Sequence, residues 1–226
     1  MQKLNRTSEI ANWIRAEIDS GALAPGSKLE EGELSKRFQV SKTPVREALI
    51  QLASRGLIDL RQRRGATVAT MTVEQIVAVF EVMTELECMA ARLAAERMSA
   101  EMRKLLLDTH KRSEAFLNDE QRYDAFNSEL HELIYRGACN EYLEMSVKDA
   151  RARLRIYRRY PFQKPGRILQ SYQDHEVIVS AVMRGDGLAA SRAMHEHLTT
   201  GGKVFADLVA QMPRPDDLPN YKINGP

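Results

Sequence analysis

Two groups of residues in this 226-residue chain have types and spacings that could do chemistry. The first is the run Ser41-Lys42-Thr43-Pro44-Val45-Arg46-Glu47-Ala48-Leu49-Ile50. Ser41 or Thr43 can cap a helix whose first turn tolerates Pro44, because the N–H that proline lacks has no intrahelical partner there. Val45, Ala48, Leu49 and Leu52 recur at helical spacing and face a small core. That leaves Lys42, Thr43 and Arg46 near the amino-terminal end, the part of a recognition helix that meets phosphates and base edges in the major groove. The second group is Asn127 and His131, four apart on one face of a helix, with His175 near the start of another helical segment and His197 beyond the Gly185-Asp186-Gly187 break. Imidazoles from three helices can hold a divalent transition metal, each giving one lone pair while an acceptor fixes the other ring nitrogen. Spacing alone leaves that reading beside a plainer one, in which surface or core histidines never meet.

The surrounding sequence supplies the elements that must position these residues. Ile10, Trp13, Ile14 and Ile18 make an apolar stripe, broken by Gly21, Pro25 and Gly26. Leu29 then leads into a short amphipathic stretch, Glu30–Phe38. Gln39 and Val40 give a tight link to a helix over 43–54, so residues 30–54 have helix-turn-helix dimensions. Gly56 stops that helix. Leu57–Leu60 and Thr67–Ala69 read as short strands, with Arg61-Gln62-Arg63-Arg64-Gly65 as a basic hairpin tip between them. The pattern predicts a winged helix-turn-helix over residues 1–70. From Thr72 the texture is helical throughout, in segments Val73–Met98, Ala100–Asn118, Asp119–Gly137, Asn140–Tyr160, Gly166–Gly185 and Leu188–Leu208. The fold class expected is mainly α, with an all-α bundle over 71–211 and a surface extension or flexible tail over 212–226.

Composition fits this organisation without revealing it. The net charge of +2 hides an asymmetry, since residues 1–70 hold 12 Lys/Arg against 8 Asp/Glu while the remainder hold 21 against 23. A basic head on a mildly acidic body suits counterion release from DNA. No apolar run approaches the roughly 20 residues that span a bilayer, and the amino terminus lacks a secretory core, so no membrane partner and a cytoplasmic location are expected. Cys88 and Cys139 show no Cys-x-x-Cys spacing and read as buried thiols.

The amino-terminal residues resemble the GntR family of bacterial transcription regulators. The resemblance runs through Pro25-Gly26, Leu29, Leu34-Ser35, Val40-Ser41-Lys42-Thr43-Pro44-Val45-Arg46-Glu47-Ala48-Leu49, Leu52, Gly56-Leu57, Arg63-Arg64-Gly65 and Val68. Two departures bear on base preference. Lys42 stands where the family usually has arginine, which keeps a charge but loses the bidentate fork, and Gly32 stands where some relatives have a DNA-contacting arginine. The resemblance implies a homodimer on a palindromic double-stranded operator. Arg46 would meet a base edge or a nearby phosphate, supported by Lys42 and Thr43, and Arg64-Gly65 would reach from the wing.

Residues 71–208 resemble the FCD domain, the effector-binding half of the FadR-type branch of that family. The matching positions are Asn127 through His131, Asn140, Leu143, Asp174-His175, Ala181, Gly185-Asp186, Ala190 and His197-Leu198. Carried over residue by residue, the resemblance implies a divalent transition metal, zinc or nickel, held by Asn127, His131, His175 and His197. Leu130 replaces a phenylalanine, and Asn127 stands where aspartate is commoner, so the ligand set brings no charge of its own. A metal beside an arginine suits a small carboxylate or sugar acid, with Arg153 and Arg167 the expected anchors; most of the arginines among Arg151, Arg153, Arg155, Arg158 and Arg159 must be solvated or at an interface. His110 and His195 are expected to be structural. The reading is therefore a non-enzymatic repressor whose operator affinity a small acid controls. The alternatives are a regulator that answers to metal alone and, more remotely, a metal-dependent hydrolase.

Overall fold

A computed structural model describes residues 2–61, 65–155, 162 and 165–210. The described residues fall into two compact units: one holds the chain up to Ile76 and the end of the helix that passes through Ala152, the other Val77–Arg151 and the described residues from 162 to Ala210. Helix α1 spans Gln2–Ser20, α2 Glu31–Phe38 and α3 Lys42–Ser54, and three short strands follow the order β1-β3-β2, with β1 at Lys28–Leu29, β2 at Ile58–Arg61 and β3 at Gly65–Val68. All pairing is antiparallel, Lys28 opposite Thr67 and Ile58 opposite Val68.

Helix α1 buries Ile10, Ile14 and Ile18 against Leu34 of α2, Val45, Ala48, Leu49 and Leu52 of α3, and Ile58, Ala66 and Val68 of the sheet. The helical spacing of each set puts its apolar side on the shared core, as a three-helix head with a sheet requires. Trp13 meets Phe38 edge to face at 5.5 Å, and the Arg37 guanidinium lies 4.2 Å over the indole ring. Gln39 takes the left-handed conformation with φ 51°, and its N–H and that of Val40 return to the carbonyls of Lys36 and Ser35. This turn closes α2 and allows α3 to start within three residues.

Several expectations need adjustment. Ser41 is the residue that precedes α3, yet its hydroxyl makes no capping bond. The wing strands sit at Ile58–Arg61 and Gly65–Val68, and β1, two residues long, is too short to leave a periodic pattern in the sequence. Of the expected basic tip, Gln62, Arg63 and Arg64 lie outside the described residues.

The second unit is all helical among the described residues. Helix α4 spans Val73–Arg97, α5 Ala100–Ser113 with a 3-10 turn at Glu114–Phe116, α6 Glu120–Gly137, α7 Glu141–Arg155, α8 Arg167–Arg184 and α9 Gly187–Ala210. Side-chain caps fix two starts: Ser99 accepts from the Met102 N–H and Asp119 from the Arg122 N–H. Gly185, with φ 73°, ends α8 in the left-handed region. Both cysteines are free, but Cys139 is exposed at the turn after α6, while Cys88 is buried as expected. Among the described residues no helix is long and apolar enough to cross a membrane.

Leu49 is enclosed at 1% exposure by residues of α1, α2, α3 and the sheet. Leu49→Ala is expected to cost about 2–5 kcal/mol, read as a lower urea midpoint for the amino-terminal unit.

Candidate functional site

Helix α3 presents its polar side outward. Pro44, Val45, Ala48, Leu49 and Leu52 are buried, while Lys42, Thr43, Arg46 and Glu47 are exposed. Lys42 and Thr43 are the first two residues of the helix, and Arg46 lies one turn on. The Arg46 Nε donates to both carboxylate oxygens of Glu31, at 2.9 and 2.8 Å. Glu31 opens α2, so the contact crosses from one helix of the pair to the other. With the Arg46 side chain 63% exposed the pair contributes little to stability. Its effect is orientation: the two contacts hold the guanidinium by its Nε edge against the start of α2. Gly65 begins β3 with φ 82°, a conformation that keeps the chain narrow where the wing returns.

The three histidines expected to meet do so. His131 on α6, His175 on α8 and His197 on α9 are all buried, and one nitrogen from each lies within 4.8 Å of the others. The Nε2 atoms of His175 and His197 are 3.3 Å apart. Two nitrogens bound at the zinc distance of about 2.0–2.1 Å with tetrahedral angles would also stand about 3.3 Å apart, so this pair has the separation that a shared cation requires. Asn127 is buried one turn before His131 on α6. Its amide can add an oxygen donor but no charge.

Carboxylates set which nitrogen faces the cluster. The His131 Nδ1 is 2.7 Å from Glu87 Oε2 and the His197 Nδ1 is 3.1 Å from Asp174 Oδ2. Because a carboxylate only accepts, each ring places its N–H on Nδ1 and turns the Nε2 lone pair inward. Burial pushes the His131 pKa down to about 4, against the upward pull of Glu87, and burial likewise holds His175 well below and His197 below the usual histidine value. All three rings are therefore neutral at pH 7, with lone pairs to give. Burial raises Asp174, but the bonds from His197 and Gln170 and the nearby Arg167 outweigh it and hold its carboxyl below the usual value.

Glu87 is a charged residue of α4 at 0% exposure, one of several glutamates on that helix, and sequence reasoning missed it. Its second oxygen accepts from the Arg151 Nη1 at 2.9 Å, and the same nitrogen donates to the Tyr135 hydroxyl at 2.9 Å. Arg151 is therefore the member of the α7 arginine run that turns inward. Arg153 is exposed and belongs to the unit that contains the amino-terminal residues, apart from the histidines. Arg167 is buried on α8, with Nη1 3.6 Å from Asp174 Oδ2, too long for a hydrogen bond. Its Nε and Nη1, the Ser171 Oγ and the Tyr123 Oη are all buried without a hydrogen-bond partner among the described residues. Arg158 and Arg159 lie outside the described residues. His195 is exposed, and His110, which is not one of the three clustered histidines, stacks on Tyr172 at 4.5 Å.

Comparison with known proteins agrees with both halves. Residues 6–68 match the model described as bacterial regulatory proteins, gntR family, and residues 78–200 match the FCD domain. The chain is 31% identical over 193 residues to the HTH-type transcriptional repressor RspR of Escherichia coli strain K12, covering 84% of each chain. It is 25% identical to the gluconate operon transcriptional repressor of Bacillus subtilis strain 168, over 87% of this chain and 84% of that protein. Among solved structures, E. coli McbR/YncC superposes with a TM-score of 0.76 at 20% identity, covering 89% of this chain and 97% of that one, a likeness of fold.

Two outcomes test the buried network. Arg151→Met leaves the wholly buried Glu87 carboxylate without its cationic partner and is expected to cost about 3 kcal/mol in chelator-treated protein, with Glu87→Gln in the same chain recovering part of the loss in a double-mutant cycle. Because the three rings bind protons in the unfolded chain below about pH 6.5 and not in the folded one, stability of the metal-free protein should fall between pH 6.5 and 5. The expected slope is up to about 1.4 kcal/mol per pH unit per ring, and urea titrations across that range would measure it.

Proposed function

This chain belongs to the gntR family of bacterial regulatory proteins, with an FCD domain as its helical unit, and from that premise we propose that it is a repressor whose operator affinity is set by a small organic acid bound beside a metal. It is a transcription regulator and not an enzyme, as its family and relatives are. The observation that carries the finer reading is the convergence of three neutral, buried imidazoles next to buried donors of Arg167 that lack partners.

Asn127, His131, His175 and His197 would hold the metal, zinc or nickel. A bound metal supplies Lewis acidity that takes one oxygen of an acid. The chain's own contribution is to orient: Glu87 and Asp174 fix two rings, and Arg167 offers N–H groups to the remaining oxygens. Arg153, exposed on α7, has less to offer a buried ligand. A sugar acid or other small carboxylate is the effector class. A relative of this chain is named for the gluconate operon, whose name carries such an acid.

On the DNA side, two heads of a cytoplasmic homodimer would occupy the half-sites of a palindromic operator, since a two-fold protein reads a two-fold sequence. Arg46 would read a base edge, Lys42 and Thr43 would hold phosphates, and Arg64-Gly65 would reach the neighbouring groove from the wing. The ligand shifts DNA affinity to the extent that it binds two arrangements of the protein unequally.

Operator retention on the protein's own promoter fragment tests this. One acid from a panel of carboxylates and sugar acids should release the DNA, and chelation or His175→Ala should abolish the response. Release that follows added metal with no acid would instead favour a regulator answering to metal alone. Arg46→Ala should weaken operator binding by about 10- to 100-fold and relax base selectivity, whereas Lys42→Ala should weaken all sequences alike and lower the salt slope by about one.

A further inference from the structure

The two basic residues exposed on α3 differ in the company they keep. Lys42, in the first turn, makes no ion pair among the described residues. Arg46, one turn on, is paired before any DNA is present: its Nε donates to both oxygens of Glu31, and it makes no other hydrogen bond among the described residues. The four N–H groups on its terminal nitrogens are therefore uncommitted, in a side chain that is 63% exposed. The adjacent carboxylate, Glu47, accepts from Thr7 of α1 at 3.0 Å, so the partner of Arg46 comes from another helix and not from its neighbour in the chain.

A glutamate in the first turn of α2 favours the positive end of that helix, and Glu33 in the same turn does so as well. That role asks for no particular direction, yet the Glu31 carboxylate reaches α3 with one oxygen at 2.9 Å and the other at 2.8 Å from the same nitrogen. A guanidinium held by a carboxylate has no net charge as a unit. What it offers a phosphate is reduced, because the carboxylate repels the anion that the guanidinium attracts. What it offers a guanine is not, since O6 and N7 are neutral acceptors met by hydrogen bonds, and the terminal nitrogens can make those while Nε stays on Glu31. Attraction to phosphates is the sequence-independent part of DNA binding. Glu31 thus subtracts more from binding at a wrong sequence than at the operator, and a repulsive element of that kind creates selectivity. Lys42, with no such partner, keeps its full charge for the DNA backbone.

Resting on the reading of α3 as the recognition helix, we propose that Glu31 sets the sequence specificity of this regulator through Arg46, neutralising it towards the DNA backbone while leaving it competent towards a base. Glu31 is a positioning residue in this scheme and contacts no base itself.

The test is fluorescence anisotropy on the full-length protein, with a duplex of its own promoter and a scrambled duplex of equal length, each at several salt concentrations. Glu31→Gln keeps the shape of the side chain and an oxygen that accepts from Nε. It should tighten binding to the scrambled duplex by about three- to ten-fold at low salt and steepen the salt slope there by about one. The gain on the promoter should be smaller, so the ratio of the two affinities falls. In an Arg46→Ala background the same substitution should leave the ratio where it was, because the guanidinium it acts through is gone. A ratio that Glu31→Gln leaves unchanged or raises would overturn the proposal, as would an equal fall in both backgrounds. So would a fall that comes only from weaker promoter binding, with scrambled binding and its salt slope unmoved, since Glu31 would then merely support Arg46. Arg46→Ala protein that binds both duplexes as the wild type does would instead remove the underlying recognition-helix reading.

Discussion

A carboxylate stripped of all water is tolerated in a helical bundle only when its lone pairs are filled, and Glu87 meets that condition through two different helices. One oxygen accepts from the His131 ring on α6 and the other from Arg151 on α7, while Glu87 itself belongs to α4. Three helices are thereby tied at one point by bonds whose geometry is far more exacting than apolar contact. Apolar burial alone would allow α6 to rotate or slide by small amounts against α4. The Glu87 contact selects one rotation, and that rotation turns the free side of the His131 ring towards His175 and His197. The cluster owes its convergence to this bond and to its counterpart between Asp174 and His197. The ring stays neutral in spite of this bond, because the cost of burying a second cation beside Arg151 outweighs the pull of Glu87.

Much of this was legible in the sequence, and the parts that were not share a cause. The helices of the second unit are long and marked by Gly, Asn and Pro breaks, so their limits read clearly: α8 was expected over 166–185 and spans Arg167–Arg184. Core positions of α3 followed from period alone. Strand β1 escaped because two residues carry no period, and it forms only because Lys28 and Leu29 find Thr67 and Ala66 across the sheet. Ser41 marks the start of α3 by residue type, but the direction its hydroxyl takes is a local choice that type does not decide. Glu87 and Arg151 escaped for a different reason. Their pairing joins residues 64 positions apart, and one charge among several on a helix looks the same in sequence whether it reaches solvent or a partner.

The two halves solve a similar problem by different means. In the helical unit, orientation is enforced in the absence of water, where each bond is strong and each unfilled donor is costly. In the amino-terminal head Arg46 is exposed, so its pairing with Glu31 yields little energy and serves to narrow the range of rotamers. A side chain already restricted in this way loses less entropy on meeting any partner.

That second arrangement has a consequence for engineering. The guanidinium at position 46 is aimed by a residue of the preceding helix, fifteen positions earlier. Grafting α3 alone onto another scaffold would carry Arg46 without the Glu31 contact that restrains it. The transferable module is the pair α2 and α3 with the Gln39 turn that sets the angle between them, and a library that randomises α3 while leaving Glu31 fixed explores only the codes compatible with an acidic neighbour.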